Sequence, residues 1–240
     1  MDKTPYIDFA KNVLGIEYQN IDLLITALTH RSYLNEHRKS TKEHNERLEF
    51  LGDAVLELVV TDYLFNNFDE PEGILTAWRS ALVRTESIGA AGARLGYEPL
   101  VRMSRGEKSG SARARQQIVA DAFEAILGSI YLEKGYNEAK NLIDKQILPQ
   151  LKHILDSGSW RDPKSHIQEV MQRIDGATPS YRVLAEDGPD HDKVFTIGLF
   201  SGEVLISQGS GSSKQAGQEA AAKAALKIYQ TKDKTVDETA

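Results

Sequence analysis

The stretch His44-Asn45-Glu46-Arg47-Leu48-Glu49-Phe50-Leu51-Gly52-Asp53-Ala54-Val55 opens a run of helical periodicity that continues to about Phe65, and it limits what the chain can become. At about 100° per residue, with Glu46 as zero, Glu49 falls near −60°, Asp53 near −20° and Glu57 near +20°. These carboxylates share one side of the helix. Leu48, Phe50, Leu51, Ala54, Val55, Leu56, Leu58, Val59 and Val60 cover nearly every other direction, and a helix that is apolar almost all round is expected to be buried. Ionised carboxylates on a buried helix are heavily penalised by desolvation unless something cationic meets them.

A wet helix edge carrying acids is the ordinary alternative, but the pattern recurs. Gln117-Ile118-Val119-Ala120-Asp121-Ala122-Phe123-Glu124-Ala125-Ile126-Leu127 sets Asp121 and Glu124 three residues apart on one face of a second apolar helix. Two such helices point to one shared metal site built from Glu46, Glu49, Asp53, Asp121 and Glu124, with Glu72 a looser candidate from a turn. Oxygen donors in a chain without cysteine favour a hard ion, Mg2+ with Mn2+ as a substitute, over Zn2+. A di-iron bundle needs Glu-x-x-His on two helices, and neither acidic helix has it. Clustered carboxylates repel, so some should have raised pKa values until a divalent cation binds. Such a site suits phosphodiester hydrolysis and needs no nucleophilic side chain.

The 240 residues allow one large or two modest domains. A net charge of −6 argues against a generally basic nucleic-acid coat, so polyanion binding must come from local patches or bound cations. Without cysteine there is no disulfide framework, and a reducing compartment is natural. No secretory signal is visible, and no stretch approaches the roughly 18 apolar residues of a membrane span. The expectation is a soluble, cytoplasmic protein with no membrane partner.

Periodicity predicts short helices over Asp8–Leu14 and Ile21–Leu28, the second running into Thr29-His30-Arg31-Ser32-Tyr33. His30 reads as a capping or packing group before it reads as a ligand or acid–base group. Asn45 is a suitable N-cap, placing Glu46 beside the positive end of the helix dipole. After the turn at 68–73, helical character runs from Ile74 to Leu95. Arg102–Arg115 is rich in Gly, Ser and basic residues and is expected as an exposed, mobile loop. Helices Gln116–Lys134 and Asn137–Leu155, the latter interrupted near Pro149, complete an all-α domain over residues 1–155.

Residues 156–161 read as a linker. In 162–230 the pattern changes to a helix over Pro163–Ile174, strands over Tyr181–Glu186, Val194–Phe200 and Glu203–Gln208, and an Ala-rich helix over Lys214–Tyr229. This α-β-β-β-α order predicts a small α+β domain of one sheet covered by two helices. Residues 231–240 are expected as a disordered polar tail. Asp190-His191-Asp192 contains a His-Asp pair but sits in a turn with no helical partner. Gly209-Ser210-Gly211-Ser212-Ser213-Lys214 lacks the spacing of a nucleotide-binding loop, so no nucleotide cofactor is expected. The following helix N-terminus with Lys214 is a reasonable phosphate contact.

Asn45–Ala54, with Ala27-Leu28-Thr29-His30-Arg31-Ser32-Tyr33 before it and Ala120-Asp121-Ala122-Phe123-Glu124-Ala125 after it, resembles the ribonuclease III nuclease domain in order and over its length. Residues Asp162–Tyr229 resemble a double-stranded RNA-binding domain. The resemblance implies an Mg2+-dependent endonuclease that is a homodimer through its nuclease domains. It would cut double-stranded RNA to 5′-phosphate and 3′-hydroxyl ends with short 3′ overhangs, and process ribosomal RNA precursors and other structured transcripts. By position, Glu49, Asp53, Asp121 and Glu124 match the family's metal cluster, with Asp53 and Glu124 catalytic. Glu46 and Glu72 match acids lining its catalytic valley, and Phe50 an aromatic at its dimer interface. Gln168, Glu169, His191 and Lys214 match RNA-binding positions.

In one respect the chain departs from the family. Relatives usually open the last helix with clustered basic residues, whereas here Lys214 is followed by Gln215-Ala216-Gly217-Gln218, and acids outnumber bases over the domain. Shape still favours duplex RNA, since such a module spans about 16 base pairs through 2′-hydroxyl and phosphate contacts. Two rival readings are a catalytically silent binder of double-stranded RNA and a metal-dependent hydrolase of small phosphate compounds. The first conflicts with the intact acids, and the second leaves the appended domain without a purpose.

Overall fold

The computed structural model describes residues 1–37, 43–189 and 193–237. It divides into two units, with the boundary between Trp160 and Arg161. Among the described residues no helix is long and apolar enough to cross a membrane.

The first unit is helical. Its elements are α1 Thr4–Phe9, continued as a π turn over Ala10–Leu14, then α2 Ile21–Ala27, α3 Ser32–Glu36 and α4 Glu46–Asn67. There follow α5 Glu72–Val83, α6 Thr85–Leu95, a 3-10 turn at Glu98–Leu100 and the short α7 Arg105–Lys108. The unit is completed by α8 Ala112–Lys134, α9 Tyr136–Gln146 and α10 Gln150–Ser157.

The centre is the packing of α4 on α8. A Cβ added to Gly52 would lie 1.7 Å from the carbonyl oxygen of Glu124, and one added to Gly128 would lie 2.2 Å from that of Leu48. The helices therefore meet backbone to backbone, and only glycine permits that approach. Around the crossing Leu56, Val59, Val60, Phe123, Ile126, Leu127 and Ile130 are fully buried.

Three expectations for this unit are corrected. Helix α4 is not buried on all sides: Phe50 is 81 % exposed, Leu58 58 % and Phe65 75 %, and with exposed Ala54 they form a stripe within about 80° of the helix circumference. Asn45 does not cap through its side chain. It is buried, and its amide has no hydrogen-bond partner among the described residues. The first turn is held instead by its carbonyl oxygen, which accepts from Leu48 and Glu49 N–H at 2.8 and 2.9 Å. Nor is 102–115 one open loop. Ser104 and Ser111 each cap a helix start by accepting a backbone N–H, and α8 begins at Ala112. In the stretch read as a linker, Trp160 packs edge-on against Trp78 at 5.9 Å between ring centres.

The second unit has α11 Pro163–Asp175, β1 Pro179–Asp187, β2 Val194–Ser201, β3 Val204–Gly211 and α12 Lys214–Asp237. The sheet is antiparallel in the order β1-β2-β3, with a register shift between Val183 and Ala185. Ile167, Met171, Leu199, Ala221, Ala222, Ala225 and Tyr229 form its core. Helix α12 runs on to Asp237, into the expected tail, because neither Gly nor Pro interrupts 231–237. The Gly/Ser run is also shorter as a loop than it looks. Gly209 and Gly211 belong to β3, and a Cβ on Gly209 would lie 2.2 Å from the amide nitrogen of Ala221 in α12.

Candidate metal centre

Because α4 and α8 touch at Gly52, Glu49 lies one turn before the contact and Glu124 lies in it. Carboxylate oxygens of Glu49, Asp121 and Glu124 fall within 4.8 Å of one another, and all three residues are half-buried. Asp53 stands outside this group and is exposed, yet its charge acts on both Glu49 and Glu124.

Burial pushes the Glu124 carboxyl up to about 8, and the neighbouring acids Asp53, Glu49, Asp121 and Glu57 push in the same direction. Burial likewise raises Glu49 to about 7, aided by Asp121, Glu46 and Asp53. The nearby cations pair elsewhere: Arg31 with Glu46 at 3.1 Å and Arg79 with Glu57 at 3.0 Å. A half-buried, oxygen-only donor set under mutual repulsion fits a hard divalent cation, whose charge would reverse the penalty.

Asp121 is raised by burial and drawn back by two neighbours, a hydrogen bond from Gln117 and the charge of His30. Gln117 Nε2 donates to Asp121 Oδ1 at 2.7 Å. His30 is held in place through Ser32. Ser104 N–H donates to Ser32 Oγ at 3.0 Å, while Ser32 Oγ lies 2.8 Å from His30 Nδ1 and Ser32 N–H also donates to Nδ1. Sequence reasoning treated His30 as packing and passed over Gln117, although the four-residue spacing of Gln117 from Asp121 on one helix was a readable signal.

The remaining candidates are dispersed. Glu46 is engaged by Arg31 and lies 3.8 Å from His44. Glu72 is exposed as the first residue of α5, and Phe50 is exposed on α4. In the second unit Gln168 and Glu169 are exposed on α11, and Glu169 lies 3.9 Å from Arg161. Lys214 Nζ is 3.3 Å from Glu186 and 5.6 Å from the Phe195 ring centre. His191 lies outside the described residues. Of the loop cations, Arg102 has a structural place: its guanidinium sits 4.2 Å over the Tyr33 ring and its backbone bonds Leu28 and His30.

The raised carboxyls tie stability to pH. Glu124 holds its proton more tightly folded than unfolded, so its contribution is full below about 4.5 and is lost as pH rises through about 8. In EDTA the melting temperature is expected to fall across that window, and Glu124→Gln should flatten the fall. Thermal melts at stepped pH test this, and an unchanged slope in the variant would refute it.

A family model described as Ribonuclease-III-like matches residues 20–151, and one for a double-stranded RNA binding motif matches residues 163–229. A protein named Ribonuclease 3 from Pelotomaculum thermopropionicum is 42% identical over 226 residues, covering 94% of each chain. Another of the same name from Borreliella burgdorferi is 39% identical over 229 residues, covering 95% of this chain and 93% of that one. Among solved structures, the nuclease domain of ribonuclease III from Campylobacter jejuni superposes with a TM-score of 0.53 at 41% identity, covering 59% of this chain and 95% of that one.

Proposed function

Because the chain belongs to the ribonuclease III family and carries a double-stranded RNA binding motif, we propose that its acid cluster cuts duplex RNA with the help of Mg2+, with Mn2+ as a substitute. The observation that carries the reading is the convergence of Glu49, Asp121 and Glu124 within 4.8 Å, with Glu124 raised to about 8. These three would hold the cation, with Asp53 beside them. When bound, the ion supplies an activated water at neutral pH and charge to steady the departing oxygen. The protein's part is to keep Glu49, Asp121 and Glu124 close enough to hold it, and to exclude water from one side by the apolar packing of α4 on α8. Hydrolysis of this kind leaves 5′-phosphate and 3′-hydroxyl ends, with short 3′ overhangs where the two strands are cut out of register.

Ribosomal RNA precursors and other structured transcripts in the cytoplasm are the proposed substrates. The test is incubation of a long, perfectly paired RNA in low salt with Mg2+ or with EDTA. Short duplex products bearing 5′-phosphates in Mg2+ alone support the proposal, whereas RNA retarded on a gel but never cut would make the chain a silent binder.

The Phe50–Ala54–Leu58–Phe65 stripe supports a homodimer. The Campylobacter jejuni nuclease domain is described as having a region involved in dimer formation, and exposed large apolar side chains on one face next to the acids are the kind of surface a second copy would cover.

Duplex binding by the second unit should be weak and salt-sensitive, because several of its cations are matched internally. Lys214 and Lys193 both face Glu186, at 3.3 and 3.7 Å, and Arg182 makes two 2.8 Å bonds to Glu203. Releasing Lys214 by Glu186→Gln is expected to tighten duplex binding about threefold and steepen the salt slope by up to about one unit. Gel shifts from low to physiological salt in the Glu124→Gln background check it. Tight binding that ignores salt would overturn the account.

A further inference from the structure

Building on the reading of Glu49, Asp121 and Glu124 as cation ligands, we propose that Gln117 is a positioning residue that fixes the Asp121 carboxylate for the metal, and that Thr85 orients Gln117. Gln117 Nε2 donates to Asp121 Oδ1 at 2.7 Å from one turn earlier on α8. Left alone, a side-chain amide can turn either end toward a carboxylate, and its oxygen end would repel. Thr85, the first residue of α6, settles the choice: its hydroxyl donates to Gln117 Oε1 at 3.3 Å. With the oxygen end held by α6, the NH2 end faces Asp121.

The relay does for a carboxylate ligand what an outer-shell hydrogen bond does for a ligand generally: it stops rotation and favours the ionised form. That Asp121 is raised by burial and lowered by this bond agrees with the role. Asp121 is thereby prepared before any cation arrives. An ordinary surface pair four residues apart would affect helix stability and leave metal affinity unchanged, so the two roles separate by measurement.

The experiment titrates full-length protein with Mn2+ by calorimetry, and measures the Mg2+ concentration for half-maximal cleavage. The variants are Gln117→Met, Thr85→Val, Thr85→Ser and Asp121→Asn. Gln117 is exposed and methionine is an equally good helix former, so the fold is not at stake. Gln117→Met is expected to weaken Mn2+ binding about tenfold, the low end for outer-shell partners. The Mg2+ requirement should rise by the same factor, with the cleavage rate at saturating Mg2+ within about twofold of wild type. Thr85→Val should shift in the same direction and Thr85→Ser should behave as wild type. Wild-type Mn2+ affinity in Gln117→Met, beside lost affinity in Asp121→Asn, overturns the positioning role alone. Wild-type affinity in Asp121→Asn overturns the metal-site reading and this proposal with it.

Discussion

Glu124→Gln is expected to lower cleavage of paired RNA by more than about a hundredfold, beyond the range that outer-shell substitutions reach, while making the metal-free protein more stable at pH 8. The amide keeps the shape of the side chain and removes one anionic donor from the cluster. It also removes the group that burial and four neighbouring acids penalise most, the one raised to about 8. Loss of activity with a gain in stability cannot be produced by misfolding, which moves both downward. Duplex binding should persist, because the RNA-binding motif occupies residues 163–229. Single-turnover cleavage, a thermal melt in EDTA and a gel shift on one preparation make the test. Cleavage within tenfold of wild type would remove Glu124 from the site.

Among the glycines whose surroundings are described, Gly52→Ala should be the most damaging change. The added carbon would lie 1.7 Å from the Glu124 carbonyl oxygen and 2.9 Å from the Gly128 amide nitrogen. Both are backbone atoms of α8, with no rotamer to yield, so α4 and α8 must part. Overpacking usually costs about 1–3 kcal/mol where side chains can shift. Here the fully buried residues on both sides of the crossing lose contact together, and the loss should exceed that range. Glu49 and Glu124 would be drawn apart by the same movement, so Mn2+ affinity should fall in whatever fraction still folds. Gly73→Ala is the control: a Cβ there meets nothing within 4 Å, and alanine in a helix is favoured over glycine by about 1 kcal/mol. Urea midpoints read both variants. A Gly52→Ala midpoint near wild type would mean that the helices do not approach as described.

Much of this was legible because chemistry and periodicity coincide in the acidic helices. Glu49, Asp121 and Glu124 announce themselves as acids on apolar helices, and the α-β-β-β-α order follows from the change of period after residue 162. What the sequence hid was mostly close approach. Gly52 and Gly128 show their role only when the helices are placed in contact, and Gly209 and Gly211 read as loop until α12 lies on β3. Periodicity alone hid the exposed side of α4, where only the family resemblance of Phe50 pointed to an interface: an apolar stripe looks the same whether its cover is in the same chain or in another. Asp53, Glu46 and Glu72 fit the acid pattern, yet the tight group leaves them out, since angular position on a helix does not fix the reach of a side chain.

The exposed stripe on α4 has a further consequence for a homodimer. Phe50, Leu58 and Phe65 would be wetted in a lone protomer and dry in a pair, so folding free energy and association free energy draw on the same side chains. The melting temperature then becomes a property of the solution as well as of the chain. Dilution alone would act as a denaturant, weakening a fold in which no bond has changed.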